Sequence, residues 1–343
     1  MSYEVNIDSF DEHEWSKCAR EFADYSIYQT WPYQQVRGEM DNQQVSRVII
    51  RDENGRVVTM CHVRIKHVKL LRLRIGYVQW GPLFRDKDDK VICSVEALRK
   101  LHDAYLPNKV NVLRVVPNAR DNENGKVFAE MLQSAGFGRI QNIQPYRTFM
   151  LPADDSEEGI RKRLRKSFRR DLKKAEKSGI EIQEGYNEEF ATILEDLYIN
   201  SLKRKGFRGL PPEEFVSTQQ LLSEDEKMNI IVAYFEGEPV SAHLASNLGD
   251  TALVLLAASN EKGLTCGSSY LVWYKGAIAA LNSGMKRYDL GGIDPENNPN
   301  VFQFKSRMGG QEVFHIGAFD VCSSSHVKII WRICEKIYQH IKK

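Results

Sequence analysis

The sequence lacks an apolar run near the ~20 residues that a membrane-spanning helix needs, although 42% of its 343 residues are hydrophobic. Its N-terminus, MSYEVNIDSFDEHEW, lacks the basic segment and apolar stretch of a secretory signal. Six cysteines are scattered without a Cys-x-x-Cys pair or clustered histidines, which argues against disulfides and a zinc site. The sequence therefore predicts a protein of the cytoplasm with reduced thiols and no metal.

Motifs of several common enzyme classes are also missing. We find no Ser/His/Asp order, no phosphate-binding P-loop and no metal-ligand spacing, so hydrolases, kinases and metalloenzymes are poorly supported. His243 lies inside the apolar strand SAHLAS, where a core histidine is a better interpretation than a catalytic base.

The length suits two domains, and the pattern of elements occurs twice. Each half has a hairpin, a further strand, a helix, a strand, a late helix and a closing strand, which predicts a mixed α/β fold with helices packed on a sheet. The hairpin turns at Gly55 and Gly237 and the late helices at Val127 and Val301 lie nearly equal distances apart, 182 and 174 residues. An old duplication explains this spacing; chance matching of short amphipathic segments is the alternative.

One stretch of the second half, YDLGGIDPENNPNVFQFKSRMGG, is absent from the first. At a constant offset Gly136 aligns with Gly310, but Met131 aligns with Lys305 and Ala135 with Gly309, so the lysine and the glycine pair occur once. Binding in such sheets occurs where neighbouring strands part, which here lies between TALVLLAAS and KRYDLGGI.

The same stretch suits acyl transfer. Asp289 ends an apolar strand, and Gly291 and Gly292 leave the backbone accessible to another molecule. Asn298 and Pro299 predict the start of a short helix that directs Lys305 into the cleft. A lysine there can stabilise an oxyanion or hold a carboxylate or phosphate. A surface lysine on a capped helix is the alternative.

A strongly basic segment opens the second half. RKRLRKSFRRDLKKAEK, residues 161–177, holds ten Lys/Arg against two acidic residues. Apolar residues recur at helical spacing and predict one helix with a packing stripe. The charged face, which suits RNA or a nucleotide diphosphate unless it serves only solvation, includes Arg161, Arg165, Arg169 and Lys173.

Two other segments suit anions or membranes. In SNEKGLTCGSSYL, which opens a helix, Gly267 and Ser268 can offer backbone amides to a pyrophosphate, but the Arg/Gln-x-x-Gly-x-Gly/Ala pattern of acyl-CoA acyltransferases is not met. The tail VKIIWRICEKIYQHIKK predicts a basic amphipathic helix that lies on a membrane surface or simply packs on the protein.

These motifs resemble the Fem-type peptidoglycan-bridge aminoacyltransferases. YDLGGI, the Asn/Pro loop, FKSRMGG and HIGAFD resemble the C-terminal signature of that family. YQTWPY, WGPL, LRVVP, the segment from YRTFMLPADD to KSGIEI, and FEGEPVSAHL occur in the family's order and cover most of the chain. The chain resembles the compact branch, because no coiled-coil arm follows the basic helix, and Met308 replaces an aromatic residue common before the glycine pair.

The resemblance implies two tandem acetyltransferase-like (GNAT-like) domains, 1–152 and 153–322, with residues 323–343 as a helix packing back on the first. It implies transfer of an amino acid from aminoacyl-tRNA to an amine of a peptidoglycan precursor, UDP-linked or lipid-linked, with no cofactor, no metal and no stable protein partner. Phe304 and Lys305 would be catalytic. Substrate would be bound by Arg204, Asp289, Gly291, Gly292, Gly309 and Gly310.

Two alternatives belong to other functional classes. One is an acyl-CoA-dependent N-acyltransferase acting on a sugar or peptide amine, with acetyl-CoA or acyl-CoA held at Gly267 and Ser268. The other is a non-catalytic binder of RNA or an anionic membrane.

Overall fold

A computed structural model of the protein describes residues 2–153, 156–206 and 209–341, with the backbone alone for residues 205 and 337–341. The described residues form two compact units. Unit 1 runs up to Tyr146 and resumes at Phe314, and unit 2 is Arg147–Val313. Each unit has its own apolar core beneath one sheet. No helix among the described residues is long and apolar enough to cross a bilayer.

The strands and helices of unit 1 surround one mixed sheet. Its strands are β1 (Glu4–Ile7), β2 (Gln44–Arg51), β3 (Val57–Val68), β4 (Leu73–Gln79), β5 (Val112–Val116), β6 (Gly138–Arg139) and β14 (Phe319–Cys322). Its helices are α1 (Glu12–Ala19), α2 (Trp31–Met40), α3 (Val95–Tyr105), α4 (Glu123–Ser134) and α12 (Ser325–Ile341).

Unit 2 has the same kind of sheet and more helices. Its strands are β7 (Arg147–Pro152), β8 (Glu181–Gly185), β9 (Asn229–Phe235), β10 (Glu238–Leu248), β11 (Thr251–Ser259), β12 (Arg287–Gly292) and β13 (Gln311–Phe314). Its helices are α5 (Glu157–Arg163), α6 (Lys166–Ala175), α7 (Glu188–Lys205), α8 (Glu213–Leu221), α9 (Glu261–Cys266), α10 (Ser268–Asn282) and α11 (Pro299–Ser306).

The two sheets share one topology over the described residues. The strand order is β1-β2-β3-β4-β5-β14-β6 in one sheet and β8-β9-β10-β11-β12-β7-β13 in the other. In each, the fourth and fifth strands are parallel, β4 with β5 and β11 with β12, while the pairs before them are antiparallel. The predicted mixed α/β class is therefore confirmed, and the repeated topology supports the predicted duplication.

Local sequence signals explain where several helices begin. A side chain just before the helix accepts a hydrogen bond from a backbone N–H of the first turn, which that turn cannot satisfy internally. Ser94 does so for α3, Asn122 for α4 and Asn187 for α7.

The predicted domain boundaries at 152/153 and 322/323 differ from these units. In each sheet, the strand at the sixth position, β14 or β7, is not continuous in sequence with the other strands of that sheet. β7 pairs with β12 in unit 2, where Pro152 lies opposite Arg287, and β14 pairs with β5 in unit 1, where Phe319 lies opposite Val115. Boundaries taken from the family resemblance do not reveal this exchange, because the strands that pair are distant in sequence.

Two elements that were predicted to be continuous are each divided in two. The closing strand of the second half, which the sequence predicts as one strand over EVFHIGAFDV, is β13 and β14 in different sheets, and Gly317 between them takes φ +87°. The single basic helix is α5 and α6, because Leu164 and Arg165 have extended ψ angles of 136° and 150°.

The alignment of the two halves also needs a correction of one residue. A glycine with positive φ follows each late helix, Gly136 after α4 and Gly309 after α11, and the next strand starts two residues later in both. On this alignment Lys305 corresponds to Leu132, which is fully buried in the unit 1 core, and not to Met131.

Candidate active site

The opening between β11 and β12 is the first feature of the site in unit 2. Their parallel pairing runs from Thr251 opposite Arg287 to Leu253 opposite Asp289 within the described strands. Past this point Gly291 takes φ +76°, and a Cβ there would lie 2.8 Å from the carbonyl oxygen of Val254. Only glycine suits such a left-handed, crowded position, so the sequence itself causes the strands to part here, as predicted.

Lys305 lies at this opening and is 7% exposed. Its Nζ donates to the carbonyl oxygens of Gly291 at 3.1 Å and Gly292 at 2.9 Å and lies 5.5 Å from the ring centre of Trp273. Burial lowers its pKa to about 8, an effect that the carboxylate of Asp289 opposes. The predicted surface-lysine alternative is therefore wrong, and the ammonium is a buried cation at the point where the strands separate.

A hydrogen-bonded brace holds the glycine carbonyls in place. The carboxylate of Asp289, 1% exposed, accepts from the Thr148 hydroxyl and from the backbone N–H of Gly291. Thr148 Oγ1 also lies 3.0 Å from the Gly291 carbonyl oxygen. The Asp289 carboxylate is already hydrogen-bonded inside the protein. Its position fits fixing the loop that holds Lys305 better than the predicted role of binding substrate directly.

Phe304 belongs to an aromatic cluster beside the lysine. Its ring centre lies 5.6 Å from that of Phe168, 5.4 Å from that of Tyr270 and 5.6 Å from that of Trp273. Such edge and tilted contacts stabilise aromatic packing. Phe304 thus fixes Trp273, whose ring faces the Lys305 ammonium.

A buried pair lies behind Trp273. Tyr288 Oη and His243 Nε2 are 2.6 Å apart, and both residues are fully buried. Burial lowers the pKa of His243 to about 3, so its imidazole is neutral at pH 7. A Cβ on Gly276 of α10 would lie 2.4 Å from the Tyr288 hydroxyl, so the pair needs a glycine on the helix above it. These contacts support the core interpretation of His243.

The second glycine pair packs against backbone. A Cβ on Gly309 would lie 1.9 Å from the carbonyl oxygen of Arg163, and one on Gly310 would lie 3.0 Å from that of Met150. Both glycines thus permit close approach of α5 and β7. Their geometry explains their presence by packing, and substrate binding by them stays a prediction.

The basic helices are attached directly to the helix that carries Lys305. The backbone N–H of Arg165 donates to the Arg307 carbonyl at 2.9 Å, and Arg165 Nε donates to the Ser306 carbonyl at 3.1 Å. Arg307 in turn pairs with Asp171 of α6 and donates to Tyr270 Oη at 3.1 Å. The break between α5 and α6 is therefore fixed to the end of α11, next to the lysine.

A basic surface covers the outer sides of α5 and α6 and the turn after them. Arg161 is half-buried, pairs with Glu176 and lies 5.2 Å from the Tyr274 ring, so it is the least accessible of the four predicted cations. Arg169 donates to the Lys162 carbonyl at 3.0 Å yet stays exposed. The exposed cations of this surface are Lys162, Arg165, Lys166, Arg169, Arg170, Lys173, Lys174 and Lys177.

The predicted phosphate loop and Arg204 meet at the end of β11. Gly267, with φ +81°, ends α9 and opens α10. Ser268 is buried and its hydroxyl lies 2.5 Å from Ser241 Oγ, so only its backbone can serve a ligand. Arg204 is exposed and donates to the Ser259 carbonyl at 2.8 Å, and the Ser259 hydroxyl lies 2.8 Å from that of Ser269.

Sequence reasoning missed three residues of the site. Thr148 lies in YRTFMLPADD and Arg307 in FKSRMGG, but neither was singled out, and Trp273 lies in no motif. Each acts through a partner more than 30 residues away in sequence. Thr148 offered a weak signal as the single hydroxyl between Arg147 and the apolar FML of β7.

The tail helix α12 packs on unit 1. Trp331 Nε1 donates to Asp320 of β14 at 2.7 Å, and Glu335 pairs with Arg114 of β5. The amphipathic pattern predicted for the tail rests on an apolar stripe of Ile330, Trp331, Cys334, Ile337 and Ile341. Ile330 is 42% exposed, while Cys334 is half-buried. The side chains of Ile337 and Ile341 lie outside the described residues.

The comparison with known proteins agrees with this architecture. The FemAB family model matches residues 11–210 and 213–330, while no curated protein sequence matches significantly. The crystal structure of FemX is similar with a TM-score of 0.79 at 16% identity, over 98% of this chain and 100% of that chain.

Two further solved structures share the fold. L-PGS from Bacillus licheniformis has a TM-score of 0.55 at 12% identity, over 93% of this chain and 95% of that chain. The tandem GNAT protein from the clavulanic acid biosynthesis pathway has a TM-score of 0.52 at 10% identity, over 94% of this chain and 99% of that chain. The predicted tandem GNAT-like architecture is thus confirmed. Because the family model covers most of the chain, the protein belongs to the FemAB family and is an acyltransferase.

Proposed function

We propose that the protein transfers an aminoacyl group from aminoacyl-tRNA to an amine of a peptidoglycan precursor, in the cytoplasm where charged tRNA is made. The observation that carries the proposal is the buried Lys305 ammonium at the strand opening. An ammonium has three N–H groups, and Lys305 donates to two carbonyl oxygens within the described residues. One N–H therefore remains for a substrate oxygen.

The reaction follows from that geometry. The precursor amine attacks the ester carbonyl carbon and a C–N bond forms, which places negative charge on the carbonyl oxygen. Lys305 donates to this oxygen, and stabilising such an oxyanion is commonly the largest catalytic contribution. The C–O bond of the ester then breaks, and the proton lost by the amine passes to the departing ribose oxygen of tRNA.

The basic surface supports tRNA as the donor. Its exposed cations continue from Arg165, whose side chain contacts the residue that follows Lys305. Phosphate contacts by Lys and Arg supply affinity without sequence selectivity and weaken with salt. A tRNA lying on α5 and α6 would bring its acylated end toward the opening.

Arg204 and the glycines of the opening suit the acceptor. Gly292 is exposed beside the buried Gly291, so a peptide can approach the backbone there. The Arg204 guanidinium at the end of β11 provides a cation for the diphosphate of a UDP-linked or lipid-linked muramyl peptide.

The donor can be tested by offering charged tRNA or acetyl-CoA with UDP-muramyl-pentapeptide and weighing the products by mass spectrometry. We expect an added amino acid from tRNA and no acetyl group. Transfer from acetyl-CoA alone would favour the acyl-CoA alternative, which the amides at the start of α10 support.

The basic surface can be tested in the same assay. Lys173→Glu/Lys174→Glu, on exposed residues of the basic surface, should raise KM for tRNA at least about tenfold and leave kcat unchanged, because two phosphate contacts are lost. Lys87→Glu/Lys100→Glu, on exposed residues of unit 1, is the matched control and should leave KM unchanged. An equal effect of both variants would contradict a specific tRNA surface.

A further inference from the structure

Unit 1 exposes apolar side chains at two places that the acyltransferase site does not use. The first is the tip of the β3–β4 hairpin, residues 69–72, where Leu70 is 94% and Leu71 39% exposed. The second is the outer face of α12, where Ile329, Ile330 and Ile333 are 59%, 42% and 53% exposed. Clustered exposed apolar side chains that are rimmed by polar residues commonly mark a surface that contacts another protein or a membrane.

Both places carry positive charge as well. At the hairpin tip, Lys66, Lys69 and Arg72 are exposed, and residues 66–74 include no acidic side chain. On α12 the exposed cations Lys328, Arg332 and Lys336 recur every four residues and so lie along one side of the helix.

The charged residues of α12 are divided between its packed face and its outer face. Its acidic residue Glu335 pairs with Arg114 of β5, and Trp331 binds Asp320 of β14, so the packed face neutralises its own charges. The outer face therefore combines isoleucines with cations and lacks a compensating carboxylate among the described side chains of the helix.

The sheet register places the two features at the same end of unit 1. Val112, at the start of β5, lies opposite Ile75 of β4 and opposite Cys322 of β14. The hairpin tip extends from β4 beyond Ile75, and α12 starts three residues after Cys322. Asn111 joins them, since its carbonyl accepts from Ser323 and its side chain from Arg74.

We propose that the hairpin tip and the outer face of α12 form one docking surface for an anionic lipid membrane. Charge complementarity selects this occupant: leucine and isoleucine enter the acyl boundary while the neighbouring lysines and arginines contact anionic headgroups. The docking requires no particular donor or acceptor, so it goes beyond the proposed aminoacyl transfer. It would place the protein where lipid-linked precursors are presented.

Vesicle co-sedimentation tests the proposal with the full chain. We expect binding to vesicles of phosphatidylcholine mixed with phosphatidylglycerol, little binding to phosphatidylcholine alone, and weaker binding at high salt. Leu70→Ser/Ile333→Ser and Lys69→Glu/Arg332→Glu should each reduce binding at least about tenfold.

Matched controls keep the test specific. Met40→Ser/Leu221→Ser removes two apolar side chains elsewhere that are 45% and 53% exposed, and Lys100→Glu/Lys126→Glu reverses two exposed charges. Both control variants should bind vesicles like the wild type. Because the substituted residues are exposed, thermal unfolding should be unchanged, and transfer to a soluble UDP-linked acceptor should persist in every variant.

The proposal is overturned if the wild type sediments with neither vesicle, if the two test variants bind like the wild type, or if the controls lose binding equally. It is also overturned if the test variants abolish a concentration-dependent dimer or tRNA binding while vesicle binding is unaffected. Failure of aminoacyl transfer with vesicle binding intact would reject the proposed function alone.

Discussion

The two units build the same sheet but differ where the parallel strands end. In unit 1, β4 and β5 stay paired from Ile75 opposite Val112 to Gln79 opposite Val116. In unit 2 the equivalent pairing stops at Leu253 and Asp289, and Gly291 turns the chain away. One copy of the fold is therefore closed and the other is open at the same place.

The late helices differ in the same sense. The position that carries Leu132 in the core of unit 1 carries the buried Lys305 in unit 2. The lysine is stable there because the turn at Gly291 and Gly292 aims two carbonyl oxygens at it, and a buried cation needs such partners. The opening and the lysine thus depend on one another, and only the second copy has both.

Making unit 2 resemble unit 1 should have the largest effect. Lys305→Leu removes the oxyanion donor and should lower kcat about 100- to 1000-fold. Thermal unfolding should stay the same or rise, because a buried charge is removed. Steady-state kinetics and calorimetry measure both, with Lys275→Leu of α10 as the control; wild-type turnover in Lys305→Leu would refute the assignment.

The converse exchange tests the same comparison in unit 1. Leu132→Lys introduces a cation into a core that has no opening beside it, which should lower the free energy of unfolding by about 3–5 kcal/mol. Urea titration measures the loss. A cost near zero would mean that the two late helices accept a lysine equally well.

Closing the opening should have a smaller effect. Gly291→Ala meets the Val254 carbonyl in a left-handed conformation and should cost about 1–3 kcal/mol of stability and reduce turnover. Gly237→Ala, in a hairpin turn with φ +78° and open space around it, should cost only about 1 kcal/mol. An equal loss of activity in both variants would mean that turnover does not depend on the strand opening.

The pH dependence offers the subtlest test. As pH rises through about 8, Lys305 loses its proton, so the rate advantage of wild type over Lys305→Leu should fall by about tenfold per pH unit. The folded pKa lies below the ordinary value of 10.5, so the unfolded chain holds more protons between these values. Between pH about 8 and 10.5, the free energy of unfolding of the wild type should therefore rise relative to that of Lys305→Leu. A difference in unfolding free energy between the two proteins that does not change with pH would contradict this prediction.

Much of the fold was predictable from local signals. The strands over TALVLLAAS and KRYDLGGI, the helix over residues 268–282 and the hairpin turns at Gly55 and Gly237 follow from hydrophobic period and glycine placement. The opening and Lys305 were predicted together, because glycine pairs and a single lysine follow one strand.

Other features were beyond sequence reasoning. The exchange of β7 and β14 depends on pairing between strands that are more than 130 residues apart in sequence. The split of the basic helix at Leu164 depends on its attachment to Arg307 through Arg165. Thr148, Trp273 and Arg307 acquire their roles only from partners on other elements.

The sequence by itself determined the duplicated order of elements, the concentration of positive charge in residues 161–177 and the single lysine between glycine pairs, because each depends on residues close together in the chain. Tertiary structure alone decided that Lys305 is buried on two carbonyls, that Asp289 braces the turn, and that the hairpin tip and α12 share one end of a sheet. Those facts depend on contacts between distant segments, and a local pattern does not specify them.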